Sequence, residues 1–433
     1  MYGVGIMLQN QVLWPTLVDH IPTFDRLNSH LHADVCIIGG GFTGLSAAIH
    51  LAEAGHRVVL LEGSEIGAGG SGRNVGLVNA GTWAQPDELN KHLGEVNGEK
   101  LTAALGAAPK LVFDTIDRLG IQAQDTRTGN LHMAHNREAE LDVDARYEQL
   151  TRRGADVEIL TGAKCQEYCG TTSIKKALLD KRAGTVNPYA YVSGLAQAAK
   201  KLGVAIYEQS AVEGIEKSQA QWMVKTAEGS VTADKVVLST NAYTQGEWFD
   251  LMKTIYFVKY YQIASEPLSG AVADRILPYK NGSWDTRLAL SSIRRDRDGR
   301  LLLGTVGGYE GKQGIYLSWA NLMANKYFPE LGELKWQYQW SGQFGFTQDH
   351  IMRIFEPQPG IVAATAFNGR GITTGTLLGK AFAQYLQDDN RDHLPLPFNE
   401  IESSKVSFRN ARAMFYDCSI ALYHAGQCLK VIT

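Results

Sequence analysis

Three glycines and one glutamate carry the first legible chemistry in this chain of 433 residues. Gly39, Gly41 and Gly44 fit G-x-G-x-x-G, and Glu62 follows about 20 residues later. In that pattern Gly39 permits a tight turn, Gly41 lets backbone approach a pyrophosphate, and Gly44 lets the next helix pack on a sheet. The N–H groups at the helix start, around Phe42 and Thr43, then face the phosphates. Glu62, followed by Gly63, places a carboxylate where ribose hydroxyls donate to it. The same carboxylate repels a 2′-phosphate, which argues against an NADP-type ligand. Together these residues describe a dinucleotide site.

The flanking residues predict the elements that hold it. Asp34–Ile38 is a short apolar run with β-branched residues and reads as a buried parallel strand. Leu45, Ala48, Ile49 and Ala52 have helical spacing, and Gly55 supplies the stop. Val58–Leu61 is the second strand. The glycine motif alone is shared by FAD and NAD sites, so the next segment decides more. Residues 65–76 are rich in glycine and carry Gly70, Ser71, Arg73, Asn74, Val75 and Gly76.

Here the chain resembles the D-amino-acid-oxidase-like FAD oxidoreductases, most closely the γ-glutamylputrescine-oxidoreductase-like branch. Their second strand is followed by a G-x-G-A-S-G-R-N-G-G stretch that passes along the flavin. This chain has Gly70 for the alanine and Val75 for the first of the paired glycines. The resemblance spans about residues 30–385. It implies an α/β fold: an FAD-binding Rossmann-like domain of the glutathione-reductase type, with an α+β substrate domain containing an antiparallel sheet. It also implies that Val212 meets the adenine through its backbone, and that Thr240 and Asn241 close over the cofactor. Residues 367–375 form a second glycine-rich turn, with Asn368, Gly369, Arg370, Gly371, Ile372, Thr373 and Thr374 beside the flavin. In the resembling family the helix after this turn points its positive end at the flavin pyrimidine ring, and the same is expected here. A second strand–turn–helix so late in the chain has no place in an NAD dehydrogenase, which is the first alternative.

In order along the chain, residues 1–32 read as an irregular arm. Helices are expected at 87–120, 137–153 and 188–202. Strands are expected at Leu131–Ala134, Val204–Tyr207, Trp222–Thr226, Val231–Thr232, Lys235–Leu238, Tyr256–Ile263 and Gly360–Thr365. Asp298-Gly299 reads as the turn of a hairpin between Ala289–Arg294 and Arg300–Leu303. The FAD-binding domain is expected to comprise 1–83, 155–243 and 341–433, and the substrate domain 84–154 and 244–340.

By the same resemblance the chemistry is oxidation of a C–N bond. A small-molecule amine or amino acid gives a hydride equivalent to flavin N5, and the imine hydrolyses. Such chemistry needs no catalytic triad; G-x-S-x-G, H-E-x-x-H and P-loop patterns are absent from the sequence. Candidate catalytic or substrate-gripping residues are His350, Arg294, Lys259 and Tyr261, with Arg370 beside them. Some relatives attach flavin through a cysteine before the T-x-D segment, or through a histidine after the second strand. Neither residue occurs at those places here, which implies non-covalent FAD. Sarcosine oxidases place an oxygen-activating lysine where this chain has leucine in 300–303, so the acceptor is either molecular oxygen or another electron carrier. A second alternative is a non-catalytic flavoprotein subunit of a heteromer. Substrates of three kinds suit the reading: a γ-glutamyl-polyamine, an N-methyl amino acid or a simple amino acid.

Composition narrows the class. A net charge of −3 and no long basic run leave no nucleic-acid footprint. No run reaches the 18 or so apolar residues of a transmembrane helix. The 5 cysteines are scattered and odd in number, which suits a reducing cytoplasm. Cys165 and Cys169 lack partner ligands nearby, so no metal site is expected.

Overall fold

The structure, a computed structural model, describes residues 8–244 and 248–431. Residues 1–7 of the expected arm lie outside the described residues. Two large sheets organise the chain. The first has the order Arg353–Gln358, Ile361–Thr365, Ser230–Leu238, His30–Ile38, Val58–Leu61 and Ala205–Tyr207. All its neighbours run parallel except the outermost pair at 353–365. A hairpin, Val212–Ser218 with Gln221–Thr226, is added antiparallel to Ser230–Leu238.

The first strand starts earlier than its apolar run because pairing to Ser230–Leu238 extends back to His30. Ile37 lies between Leu60 and Val237, all three buried. Helix Phe42–Glu53 leaves this strand through Gly41 and ends before Gly55, whose φ is +87°. Helices Phe42–Glu53, Pro188–Lys201 and Gly371–Asp388 share the core on one face of this sheet.

The second sheet has the order Trp336–Phe346, Tyr256–Pro267, Arg300–Val306, Ser291–Arg295, Gly282–Asp285, Asn130–Met133, Lys176–Asp180 and Val157–Thr161. It is antiparallel except between Gly282–Asp285 and Asn130–Met133. Its hairpin turns at Gly299, with φ of +87°. Helices Gln313–Tyr327 and Arg409–Cys428 cover it.

Several segments fall on the other side of the expected division. Strands Val157–Thr161 and Lys176–Asp180 lie in the second sheet, although 155–243 was assigned to the nucleotide unit. Strand Trp336–Phe346 crosses the expected boundary at 341 and pairs with Tyr256–Pro267. Helix Glu95–Leu119 buries Leu101, Leu105, Val112 and Ile116 in the core of the first sheet, not with the substrate side. Helix Arg409–Cys428 packs on the second sheet rather than returning to the first. The cause is common to all four. Periodicity says which face of an element is apolar, but not which sheet that face covers. The single helix expected at 87–120 is two, Pro86–Leu93 and Glu95–Leu119, broken at Gly94 with φ of +76°.

Helices Phe42–Glu53 and Gly371–Asp388 pack backbone to backbone. A Cβ on Gly379 would collide with the Thr43 carbonyl oxygen, and one on Gly375 would lie 3.0 Å from Thr43 Oγ1. Ser46 Oγ donates to the Thr376 carbonyl at 2.8 Å across the same contact. Gly379→Ala is therefore expected to cost about 1–3 kcal/mol through overpacking. A lowered midpoint in thermal denaturation, with faster loss of bound flavin, checks this.

Candidate active site

A cavity of about 450 Å³ opens where the two sheets meet, a size within the range of small-molecule sites. One end is built by the first sheet. Gly39 leaves the strand with φ of +105°, and Gly41 caps the helix that follows. A Cβ on Gly40 would collide with Ile66, one on Gly41 would come within 2.8 Å of Ser71 Oγ, and one on Gly44 would strike the Gly39 carbonyl. The phosphate cradle is thus backbone by necessity. Phe42 N–H donates to Ser71 Oγ at 3.2 Å, and Thr43 lines the same wall.

Glu62 is held rigidly beside this cradle. Gly40 N–H donates to its Oε2 at 2.7 Å, and Ser64 N–H to its Oε1 at 2.9 Å. Burial pushes its carboxyl above the usual range, with Glu208 acting in the same direction, while the backbone donors of Gly40 and Ser64 oppose the shift. Gly63 and Val212 complete this end.

The middle of the cavity is the segment 68–76. It contains one helical turn, Gly70–Arg73. Arg73 Nε donates to the Ala68 carbonyl at 2.6 Å. Asn74 Nδ2 donates to the Gly70 and Ser71 carbonyls, and its Oδ1 accepts from Gly76 N–H at 2.8 Å. Gly70, Ser71, Arg73, Asn74 and Val75 line the cavity; Gly76 lies behind it, with φ of +78°. Thr240 and Asn241 close the opposite side. Asn241 has φ of +43°, and its buried Oδ1 has no partner among the described residues.

The far end meets Gly369, Gly371 and Ile372 at the start of helix Gly371–Asp388. Their neighbours serve as supports. Asn368 accepts Thr347 N–H on its Oδ1 at 2.9 Å, tying the glycine turn to the T-x-D segment. Thr373 and Thr374 are buried in the helix and do not line the cavity. Arg370 points away, onto the ring faces of Trp83 and Trp284, and burial lowers its pKa to about 9.

None of the four expected catalytic residues lines this cavity. Tyr261 is fully buried in the second core and donates to Gln339 Oε1 at 3.1 Å. Lys259 is exposed and pairs with Glu310 at 3.2 Å. His350 has φ of +56°, and its ring meets the Phe346 ring at 88°. Arg294 is buried but spends Nη1 on the Val75 and Val186 carbonyls, at 2.7 and 2.9 Å. Its guanidinium lies 5.0 Å from the Trp14 ring centre.

The residues found in their place are Trp83, Tyr260, Gln262, Trp284, Ser292, Gln343 and Phe344. Strand alternation in 256–263 was the available signal. It separates Tyr260 and Gln262 from Tyr261 and Ile263. Phe344 shares the alternation of Trp336, Tyr338, Trp340 and Phe346, which marks a strand in 336–346; Trp284, in the four-residue strand Gly282–Asp285, had no such signal.

A pyrophosphate cradle of bare backbone, a fixed carboxylate, and two helix starts facing one cavity fit a flavin dinucleotide. The class this defines is a flavoprotein oxidoreductase. The family model described as DAO, FAD dependent oxidoreductase, matches residues 34–385. The chain belongs to that family and is an FAD-dependent amine or amino-acid oxidoreductase. It is 31% identical over 407 residues to γ-glutamylputrescine oxidoreductase of Escherichia coli, covering 91% of this chain and 94% of that one. It is 32% identical over 376 residues to a probable oxidoreductase OrdL of Haemophilus influenzae, covering 85% and 86%. In fold it is similar to glycine oxidase of Geobacillus kaustophilus, with a TM-score of 0.68 and 21% identity, covering 88% and 98%. The family match removes the NAD-linked alternative. Among the described residues no helix is long and apolar enough to cross a membrane.

Glu62→Gln is expected to lose roughly 1.5–3 kcal/mol of FAD binding, about tenfold or more in Kd; titrating apoprotein with FAD checks this. The pH dependence has a definite sign. A carboxyl raised above its unfolded value takes up its proton first in the folded state. Apoprotein stability therefore rises as pH falls through the folded pKa, and the gain is complete below the unfolded one. Thermal denaturation of wild-type and Glu62→Gln apoprotein from neutral into acid should show that gain only in the wild type.

Proposed function

We propose that this enzyme oxidises a C–N bond of an amine or amino acid to an imine, which water then hydrolyses. FAD, when bound, accepts the hydride equivalent. The observation that carries the reading is the character of the cavity's aromatic end. Trp83, Tyr260, Trp284, Ser292, Gln343 and Phe344 are all uncharged. Burial holds the Tyr260 phenol protonated, and it donates to Ser292 Oγ at 2.8 Å. Of the acids and bases other than tyrosine, Glu62 and Arg73 alone are among the described lining residues. With no carboxylate among the described residues of this end to pair an ammonium ion, enclosure favours the free amine. The neutral amine is the form whose lone pair supports loss of hydride, so no side-chain base is required.

Glycines 39, 41 and 44, with Phe42 and Thr43, would hold the pyrophosphate, and Glu62 the ribose. Val212 would meet the adenine. Gly70, Ser71, Arg73, Asn74, Val75, Thr240, Asn241, Gly369, Gly371 and Ile372 would surround the flavin. The similarity to an enzyme named for γ-glutamylputrescine supports an amine with a long amide-bearing tail as substrate. Binding of FAD would be non-covalent, because no cysteine or histidine is among the described cavity-lining residues. All 5 cysteines are unpaired, which suits a reducing, cytoplasmic setting.

Anaerobic titration with a panel of amines should bleach the flavin band for one of them. Admitting air then shows whether oxygen or another carrier is the acceptor. A flavin that no amine bleaches would favour the non-catalytic subunit. Acid precipitation should release all the yellow colour into the supernatant. With no side-chain base, the acid limb of kcat/KM should move with the amine's own pKa when substrates are exchanged. A limb that stays put across substrates would overturn the neutral-amine reading.

A further inference from the structure

Behind the aromatic wall lies a second, smaller chamber of about 50 Å³, with room for a small polar group. Asn79 and Trp284 belong to both cavities. The ionisable side chains lining the chamber are His132, Arg146, Asp180, Arg182 and Arg370. The balance among them is cationic. Asp180 is the one carboxylate, and Arg182 holds it through Nε and Nη2 at 2.9 and 2.7 Å.

Arg370 and Arg146 are left without a carboxylate. Arg370 is only 7% exposed. Its guanidinium carbon sits 4.5 Å from the Trp83 ring centre and 5.0 Å from that of Trp284. Ring faces attract a cation but accept little from its five planar donors. Arg370 Nε and Arg146 Nε have no acceptor among the described residues. Arg146 Nη2 donates to the Trp83 carbonyl at 2.6 Å, which turns it towards the same wall. His132 is 5% exposed and stacks on Trp284 at 3.5 Å, with Nδ1 also unpartnered. Arg287, Arg294, Arg295 and Arg300 also leave Nε unpartnered, but each donates through Nη1, whereas the Arg370 guanidinium has no hydrogen-bond acceptor among the described residues.

We infer that this chamber is a binding site for a small carboxylate, received by Arg370 and Arg146 against the walls of Trp284 and His132. The planar fork of arginine matches a carboxylate, and Arg370, together with the donors that Arg146 does not spend on Trp83, can satisfy both oxygens. The carboxylate has two possible sources. It can be the substrate's own, several bonds from the C–N that is oxidised, reaching past Asn79 and Trp284. It can also be a free small acid. The site rests on these side chains and not on the choice of amine.

The test is a titration of the holoenzyme with sodium formate, against sodium chloride at equal ionic strength. Thermal denaturation and tryptophan fluorescence are the readouts, because ligand binding raises the midpoint by mass action and Trp83 and Trp284 border the site. A saturable response to formate is expected. Arg146→Gln and Arg370→Met, on different elements, should each raise the half-saturating concentration tenfold or more. Arg370→Lys should recover part of the loss. No saturation, or equal titrations for wild type and Arg146→Gln, would overturn the site. Where formate binds, competition with a carboxylate-bearing amine identifies the substrate as the source. Formate that stays bound during flavin bleaching identifies a free acid. Failure of every amine to bleach the flavin would count against the proposed reaction and leave the formate titration as it stands.

Discussion

The cavity depends on satisfying the buried backbone of residues 68–76. This segment is wedged between the two sheets, where an unpaired carbonyl costs about as much as a lost hydrogen bond. The carbonyls of residues 68–71 are satisfied within the segment, and those of Arg73, Asn74 and Val75 find their donors outside it. Gln262 Nε2 and Trp340 Nε1 both donate to the Arg73 carbonyl, at 2.6 and 2.9 Å. Trp14 Nε1 donates to the Asn74 carbonyl at 2.9 Å. Arg294 takes the Val75 carbonyl together with that of Val186. The second sheet therefore shapes the flavin-facing loop of the first, and the cleft between them is a fixed structure.

That requirement explains why Arg294 is structural. A guanidinium buried beside two carbonyls and the face of Trp14 has no reach left for substrate. Burial without a close carboxylate lowers its pKa to about 10. A charge tolerated at that cost gives directional donors to two strands of chain at once.

The electrostatics of the cavity are divided by position. Its phosphate end offers helix N–H groups and a carboxylate placed for hydroxyls. The residues lining its aromatic end are uncharged. The Arg370 guanidinium lies behind them, on the rings of Trp83 and Trp284. Two helices converge on the cavity from the same side, and their close approach at Gly375 and Gly379 fixes the direction of both N-termini. Small residues at that contact are thus part of the site, although neither glycine lines it.

The local units were legible because local chemistry dictates them. A G-x-G-x-x-G between an apolar run and a helical period admits one reading, and Glu62 follows from the length of one βαβ unit. The late glycine turn was legible for the same reason, although its helix begins at Gly371, inside the expected turn of 367–375. Elements with mixed patterns were not: Val157–Thr161 and Lys176–Asp180 have no strict alternation that separates a strand from a loop, while Trp336–Phe346 alternates aromatic with polar residues but carries nothing that says which sheet it joins. Side-chain roles at distance were also beyond reach. Nothing near Arg294 in the chain foretells that Val75 and Val186 will be its partners. The sequence by itself determined the cofactor unit, because its function is carried by backbone conformation and residue spacing. Only the tertiary structure decided which sheet each later strand joined and which side chains met the cavity, because those follow from contacts between residues hundreds of positions apart.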